Sequence, residues 1–289
     1  MRAVGGGPQR TPSTAQPRSY AASWSSPSSP ASSRCYSPLP SPVYQKTCMS
    51  AAAKRYKYLR RLLHVNQMDF EFALWQMFYL FSNPQRVFRD FVYRKSAKSQ
   101  YARDDPAFFV LLMAWMVLSS VMFAAVFRAS LYRSLIFLLS LLFINCIGLG
   151  ILIATVLWVV VNKYLRRHPN GDEDVEWGYA FDIHLNAFFP PLVILHVFQV
   201  LFYIIFHEAG MLHIWLVGLV IGNTFWLLGI GYYIYITFLG YKSVAILRDT
   251  QYLLTPMPVL GLLYLLSILL GWNFGSYFIH FYSALFHIV

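Results

Sequence analysis

Between Asp172 and His184 the sequence crowds Asp172, Glu173, Asp174, Glu176, Asp182 and His184, with His196 further on. Carboxylates and imidazoles of this kind could hold a metal ion and activate a water, as an intramembrane metal-dependent hydrolase would require. The spacing argues otherwise, because helical zinc ligands recur at i and i+4 and the chain contains neither His-x-x-x-His nor His-Glu-x-x-His. No P-loop, Gly-x-Ser-x-Gly elbow or dinucleotide-binding glycine motif is present either. The reading therefore calls for no catalytic residue, no cofactor and no metal, with the hydrolase kept as its alternative and a small transporter behind that. Transport is disfavoured because no internal repeat is evident and no carboxylate falls at mid-membrane depth.

Three polar side chains fall at similar depths inside apolar stretches: Asn145, His196 and Asn223. Polar groups are costly in hydrocarbon, so each is a functional candidate. They are read as hydrogen-bonding partners between helices, with Gly218 and Gly222 forming a small-xxx-small face beside Asn223 for close helix approach. A different chemistry begins at Lys54-Arg55-Tyr56-Lys57-Tyr58-Leu59-Arg60-Arg61. Five cations with interleaved aromatics suit anionic lipid, and equally RNA held by phosphate pairing and base stacking. Lipid is favoured, since the segment is tethered beside a bilayer.

The elements that must carry these residues follow from composition. Of 289 residues 57% are hydrophobic and only 12% charged, about half the usual share of charge in a soluble domain. The net charge of +11 is confined to the front: residues 1–106 hold 16 basic and 5 acidic side chains, and residues 107–289 hold 7 of each. Three cysteines, Cys35, Cys48 and Cys146, are too few for a disulfide framework and too dispersed for a zinc knuckle. Five uncharged runs, Ala107–Phe127, Ser134–Asn162, Ile183–His207, Ala209–Tyr241 and Thr250–Val289, each exceed the roughly 18 residues needed to cross a bilayer. Lipid leaves bare backbone groups no partner, so these runs are helices. The last contains Pro256, Pro258 and a Gly271-Trp272-Asn273-Phe274-Gly275 interruption, and is read as one span ending near Trp272 followed by an aromatic tail in the interface.

The fold class expected is all-α: a polytopic membrane protein with five spans over residues 107–289. Residues 1–53, rich in Ser and Pro and lacking acids, read as a disordered tail, although such a composition also describes a transit peptide. Residues 54–106 read as a basic, amphipathic cytosolic segment. Placing the N-terminus in the cytosol puts 21 Lys and Arg residues on that side and only Arg128 and Arg133 on the other, so the C-terminus should be lumenal. In the amphipathic segment, Asn83-Pro84 starts a helix that sets Val87, Phe88, Phe91 and Val92 on one arc and Arg86, Arg89 and Tyr93 on the other. That is the pattern of a helix lying on a membrane surface, and packing onto the spans would give the same stripe. Asp105 should cap the first span, and Asp182 suits the start of the third.

Several strings then carry a resemblance: Lys54-Arg55-Tyr56-Lys57-Tyr58-Leu59-Arg60-Arg61, Gln67-Met68-Asp69-Phe70-Glu71-Phe72, Ala102-Arg103-Asp104-Asp105-Pro106-Ala107-Phe108, Asp174-Val175-Glu176-Trp177-Gly178-Tyr179-Ala180-Phe181-Asp182 and Gly231-Tyr232-Tyr233-Ile234-Tyr235. In this order, over about residues 54–280, the chain resembles the uncoordinated-fifty (UNC-fifty) family of Golgi membrane proteins. The final dozen residues lack the basic end expected of that family. The resemblance implies a five-span, non-enzymatic protein of the Golgi and early secretory pathway. It implies recruitment of a large Arf guanine-nucleotide exchange factor, delivery of nicotinic acetylcholine receptors to the cell surface, and an association with RNA among vertebrate members. The candidate partner or lipid surface in this topology combines Lys54, Arg55, Lys57, Arg60 and Arg61 with Asp69, Glu71, Arg86, Arg89, Asp174, Glu176 and Asp182.

Overall fold

The computed structural model describes residues 60–62, 64, 66, 68–98, 103, 105–168, 174–208 and 215–288. The tail and the expected surface residues Lys54, Arg55 and Lys57 lie outside the described residues. Two short helices come first. Helix α1 (Phe70–Ser82) starts where the Asp69 carboxylate accepts the Phe72 N–H, an N-cap reinforced by Glu71 in the first turn. It buries Ala73, Gln76, Met77 and Leu80, the i, i+3, i+4, i+7 stripe of one helical face. Helix α2 (Pro84–Lys98) follows with Pro84 at its first position, where the missing N–H costs nothing.

Five helices are long and apolar enough to cross a membrane. They are α3 (Ala107–Phe127), α4 (Leu131–Tyr164), α5 (Trp177–Ile205), α6 (Trp215–Lys242) and a span, Thr250–Leu269, whose α-helical part is α7 (Pro256–Leu269). The chain is thus a multispanning all-helical membrane protein. We call the end carrying Ala107, Tyr164, Trp177 and Lys242 the near end, and the opposite one the far end. At the near end the segments after α4 and α6 pair briefly: the Arg248 N–H donates to the Leu165 carbonyl at 2.7 Å and the Arg167 N–H to Ile246 at 3.0 Å. After α7 the chain reverses at Gly271, whose φ of +71° falls in the left-handed region that glycine tolerates. Helix α8 (Phe274–Ile288) then docks across the bundle through Phe278, Ile279 and Tyr282, with Tyr277 and Phe281 outward.

Two spans contain π-helical segments, Leu141–Gly148 in α4 and Ile194–Phe198 in α5. The second follows Pro190 and Pro191, which lack the N–H groups that α-helical pairing with Asn186 and Ala187 would need. Such segments widen the helix and release carbonyls from their usual partners.

The helix expected on a membrane surface is placed differently. Val87, Phe88 and Phe91 of α2 are buried, Phe91 meeting the Tyr179 ring of α5 edge-on, while Val92 from the same expected arc is exposed. The apolar arc packs on the protein's own helices, an outcome that periodicity alone cannot distinguish from lipid contact. The outward apolar face belongs to α1 instead, through Leu74, Trp75 and Phe78.

Candidate functional site

The near end is organised around carboxylates. The Asp105 carboxylate accepts the Ala107 N–H that opens α3 and, through its other oxygen, the Asp69 N–H at 2.9 Å, tying the first turns of α1 and α3 together. Asp182 lies more than a turn inside α5, whose N-cap position is Glu176, so it does not start that helix. It is only 9% exposed and accepts the Arg103 N–H at 2.6 Å. The Arg103 guanidinium lies over Phe108 and Phe91, 4.4 and 5.4 Å from the ring centroids. Asp182, expected on a partner-facing surface, is therefore part of the joint between the segment preceding α3 and α5. One turn further along, Asn186 donates to the Asp182 carbonyl and accepts from Gln76 of α1 at 2.7 Å. Satisfying both amides inside the bundle fixes α1 against α5.

Deeper in, His184 joins three helices. Its Nε2 lies 3.0 Å from the Cys146 carbonyl in the π segment of α4, and its Nδ1 lies 2.8 Å from the Tyr233 hydroxyl of α6. A carbonyl can only accept, so Nε2 carries the hydrogen and, in the neutral ring, Nδ1 accepts from Tyr233. Gly150 makes room for the imidazole: a Cβ there would sit 2.5 Å from the ring. His196 lies on the π segment of α5, twelve residues and about 18 Å along the helix from His184. Its Nδ1 is 3.0 Å from the Ser119 hydroxyl of α3, and Phe123, Phe137, Phe278 and Tyr282 surround the ring. Asn145, on the π segment of α4, is half-buried.

Asn223 has three partners. Its amide donates to the Ser267 hydroxyl and the Trp272 carbonyl, and its oxygen accepts the Phe274 N–H, at 2.7 to 2.9 Å. Gly222 faces Gly275 of α8, and a Cβ on Gly275 would meet the Gly222 Cα at 3.0 Å. Gly218, one turn earlier on α6, is half-buried. Arg60, Glu71, Arg86, Arg89 and Asp174 are exposed, Arg61 and Glu176 are half-buried, and Asp69 is exposed but occupied as a cap.

Sequence reasoning did not single out Gln76, Asn186, Tyr233, Asn273 or Tyr282. Asn186 stands four residues after Asp182 and Asn273 sits between two glycines, but a partner on another helix leaves no local signal. Among the described residues, no three of His, Cys, Asp and Glu come together to hold a metal ion. His184, Asn186, His196 and Asn223 each make a hydrogen bond that joins helices, an arrangement suited to fixing a bundle, while the buried side-chain polar atoms of Gln199, Trp226, Thr237 and Tyr241 have no hydrogen-bond partner among the described residues.

The UNC-50 family model matches residues 58–283. The "Protein unc-50 homolog" of Danio rerio is 58% identical over 234 residues, covering 81% of this chain and 90% of its own length. That of Drosophila melanogaster is 51% identical over 252 residues, covering 87% and 90%. That of Homo sapiens is 52% identical over 236 residues, covering 81% and 89%. No solved structure matches. Five spans in this order, with the matching residues running from the basic segment through all five spans and into α8, establish that the chain belongs to the UNC-50 family.

Proposed function

We propose that the chain is a non-enzymatic Golgi membrane protein, its near end in the cytosol, that recruits a large Arf guanine-nucleotide exchange factor and supports delivery of nicotinic acetylcholine receptors to the cell surface. The observation that carries this reading is the asymmetry of charge. Lys163 and Lys242 lie in the last turns of the spans that end at the near end and Arg166, Arg167 and Arg248 follow those spans, with Arg60, Arg61, Arg86 and Arg89 in the segment before α3, whereas Arg128 and Arg133 flank the far-end turn between α3 and α4. Cations are retained on the cytosolic side, and a mixed basic and acidic surface there contributes orientation and encounter rate for a soluble partner. Family membership supports the trafficking role.

Orientation is tested with glycosylation acceptors inserted before Arg2 and after Val289. Modification only at the C-terminal site is expected, and modification at the N-terminal site would reverse the assignment. Recruitment is tested with residues that are free to meet a partner. Glu71→Lys combined with Asp174→Lys should leave abundance and Golgi residence unchanged while reducing co-isolation of the exchange factor several-fold, roughly the loss of two rim charges. Unchanged co-isolation would remove the acidic residues from the surface and leave the cations of residues 54–61.

A further inference from the structure

The register of α1 against the spans places it inside the near leaflet. Helix α3 has 21 residues and is about 31 Å long, barely the thickness of a hydrocarbon core, so its first residue lies close to the near boundary. Asp69, bonded to Asp105, lies at that level. From there α1 descends: Gln76 pairs with Asn186, and Phe81 packs on Phe189 and Tyr232, seven residues beyond Asp182 along α5 and hence about 10 Å deeper. Helix α2 returns to the boundary, where Phe91 meets Tyr179. The hairpin thus dips into the bilayer from one side, which explains why Leu74, Trp75 and Phe78 are half or more exposed: their solvent is acyl chain.

Between the two helices runs a cleft of about 290 Å³, walled by Phe72, Trp75 and Tyr79 on α1 and by Arg86 and Asp90 on α2. Arg86 donates to the Tyr79 hydroxyl at 2.9 Å and stacks on its ring, and its exposed guanidinium, which lines the cleft, has further donors to offer. Asp90, one turn away, has no hydrogen-bond or ion-pair partner among the described residues. The two charges cancel, and a zwitterion of opposite polarity complements them. We propose that this cleft holds the headgroup of a phosphatidylethanolamine from the near leaflet, its phosphate on Arg86 and its ammonium on Asp90 beside the Trp75 ring. Phosphate offers the guanidinium a two-pronged acceptor. A primary ammonium gives Asp90 the N–H donors that choline lacks, and the aromatic wall attracts the cation. The volume suits a headgroup alone, with the chains lying outside along Leu74 and Phe78. This site is a discrete lipid position and does not depend on exchange-factor recruitment.

The full chain is reconstituted in nanodiscs containing equal phosphatidylethanolamine, phosphatidylcholine and phosphatidylglycerol, re-extracted, and its retained lipid counted by native mass spectrometry. Wild type should retain one phosphatidylethanolamine about tenfold above phosphatidylcholine, the effect of one charge-assisted hydrogen bond. Asp90→Asn should bring the two near parity while phospholipid is still retained. Arg86→Gln should lose all classes, and Arg86→Lys should keep them. Absence of preference in wild type, preference for phosphatidylglycerol, or an unchanged profile in Asp90→Asn would overturn the proposal. Both residues are exposed, and helical circular dichroism checks that each variant is folded; should Arg86→Gln fail that check, Asp90→Asn decides alone.

Discussion

Asp182→Lys is expected to abolish most of the folded protein, whereas Asp174→Lys, eight residues earlier in the chain, should leave its abundance and thermal stability unchanged. The two acids belong to one stretch of sequence but not to one environment. Asp174 is exposed before α5, while Asp182 is 9% exposed inside it and holds the Arg103 N–H. Lysine would remove that acceptor and set a second cation beside the Arg103 guanidinium. An uncompensated buried charge costs about 3–5 kcal/mol, a large share of the roughly 5–15 kcal/mol that stabilises a typical fold. Asp182→Asn keeps an acceptor oxygen and should lose only about 1–2 kcal/mol. Thermal unfolding and monodispersity of the purified variants in detergent would show the difference. An Asp182→Lys protein that melts like wild type would mean that the joint between Arg103 and α5 contributes nothing to the fold.

The contrast between these two acids shows what was legible in the sequence. Counting uncharged residues locates five spans and returns the bounds of α3 directly, because Asp105, Pro106 and Arg128 punctuate both its sequence and its structure. The same count starts the third span at Ile183, whereas the helix starts at Trp177, because a charge satisfied by a partner can lie inside a helix end. The stripe on α2 was visible but its counterpart was not: Val87, Phe88 and Phe91 have the same period whether they face lipid or Tyr179. Asn145, His196 and Asn223 stood out by cost, yet the partners of the last two, Ser119 and Ser267, come from distant helices.

Asn223→Leu is expected to release α8 from the bundle. The Asn223 side chain stands in for missing backbone pairing at the turn after α7: it donates to the Trp272 carbonyl, accepts the Phe274 N–H and also donates to Ser267. Leucine fills similar space and supplies no polar atom, so a carbonyl and an N–H lose their partners in surroundings with little water. At about 0.6–2 kcal/mol for each hydrogen bond between membrane helices, the three together represent roughly 2–6 kcal/mol. The loss should fall on α8 first, because its other attachments at that point are the close Gly222 to Gly275 approach and the Asn273 carboxamide, which accepts the Ser276 N–H within the same helix. Limited proteolysis of the purified protein should therefore cut near residues 270–274 faster in Asn223→Leu than in wild type, with a lowered melting temperature. Asn223→Asp, which keeps the acceptor for Phe274 but loses both donors, should fall between them. Gly275→Leu should reproduce the faster cleavage by a separate route, since even a Cβ at that position meets the Gly222 backbone at 3.0 Å and the Gln199 amide at 3.1 Å. If neither Asn223→Leu nor Gly275→Leu changed the cleavage rate, α8 would be held by its aromatic contacts with His196 and Phe123 alone, and the polar turn would be dispensable to its docking.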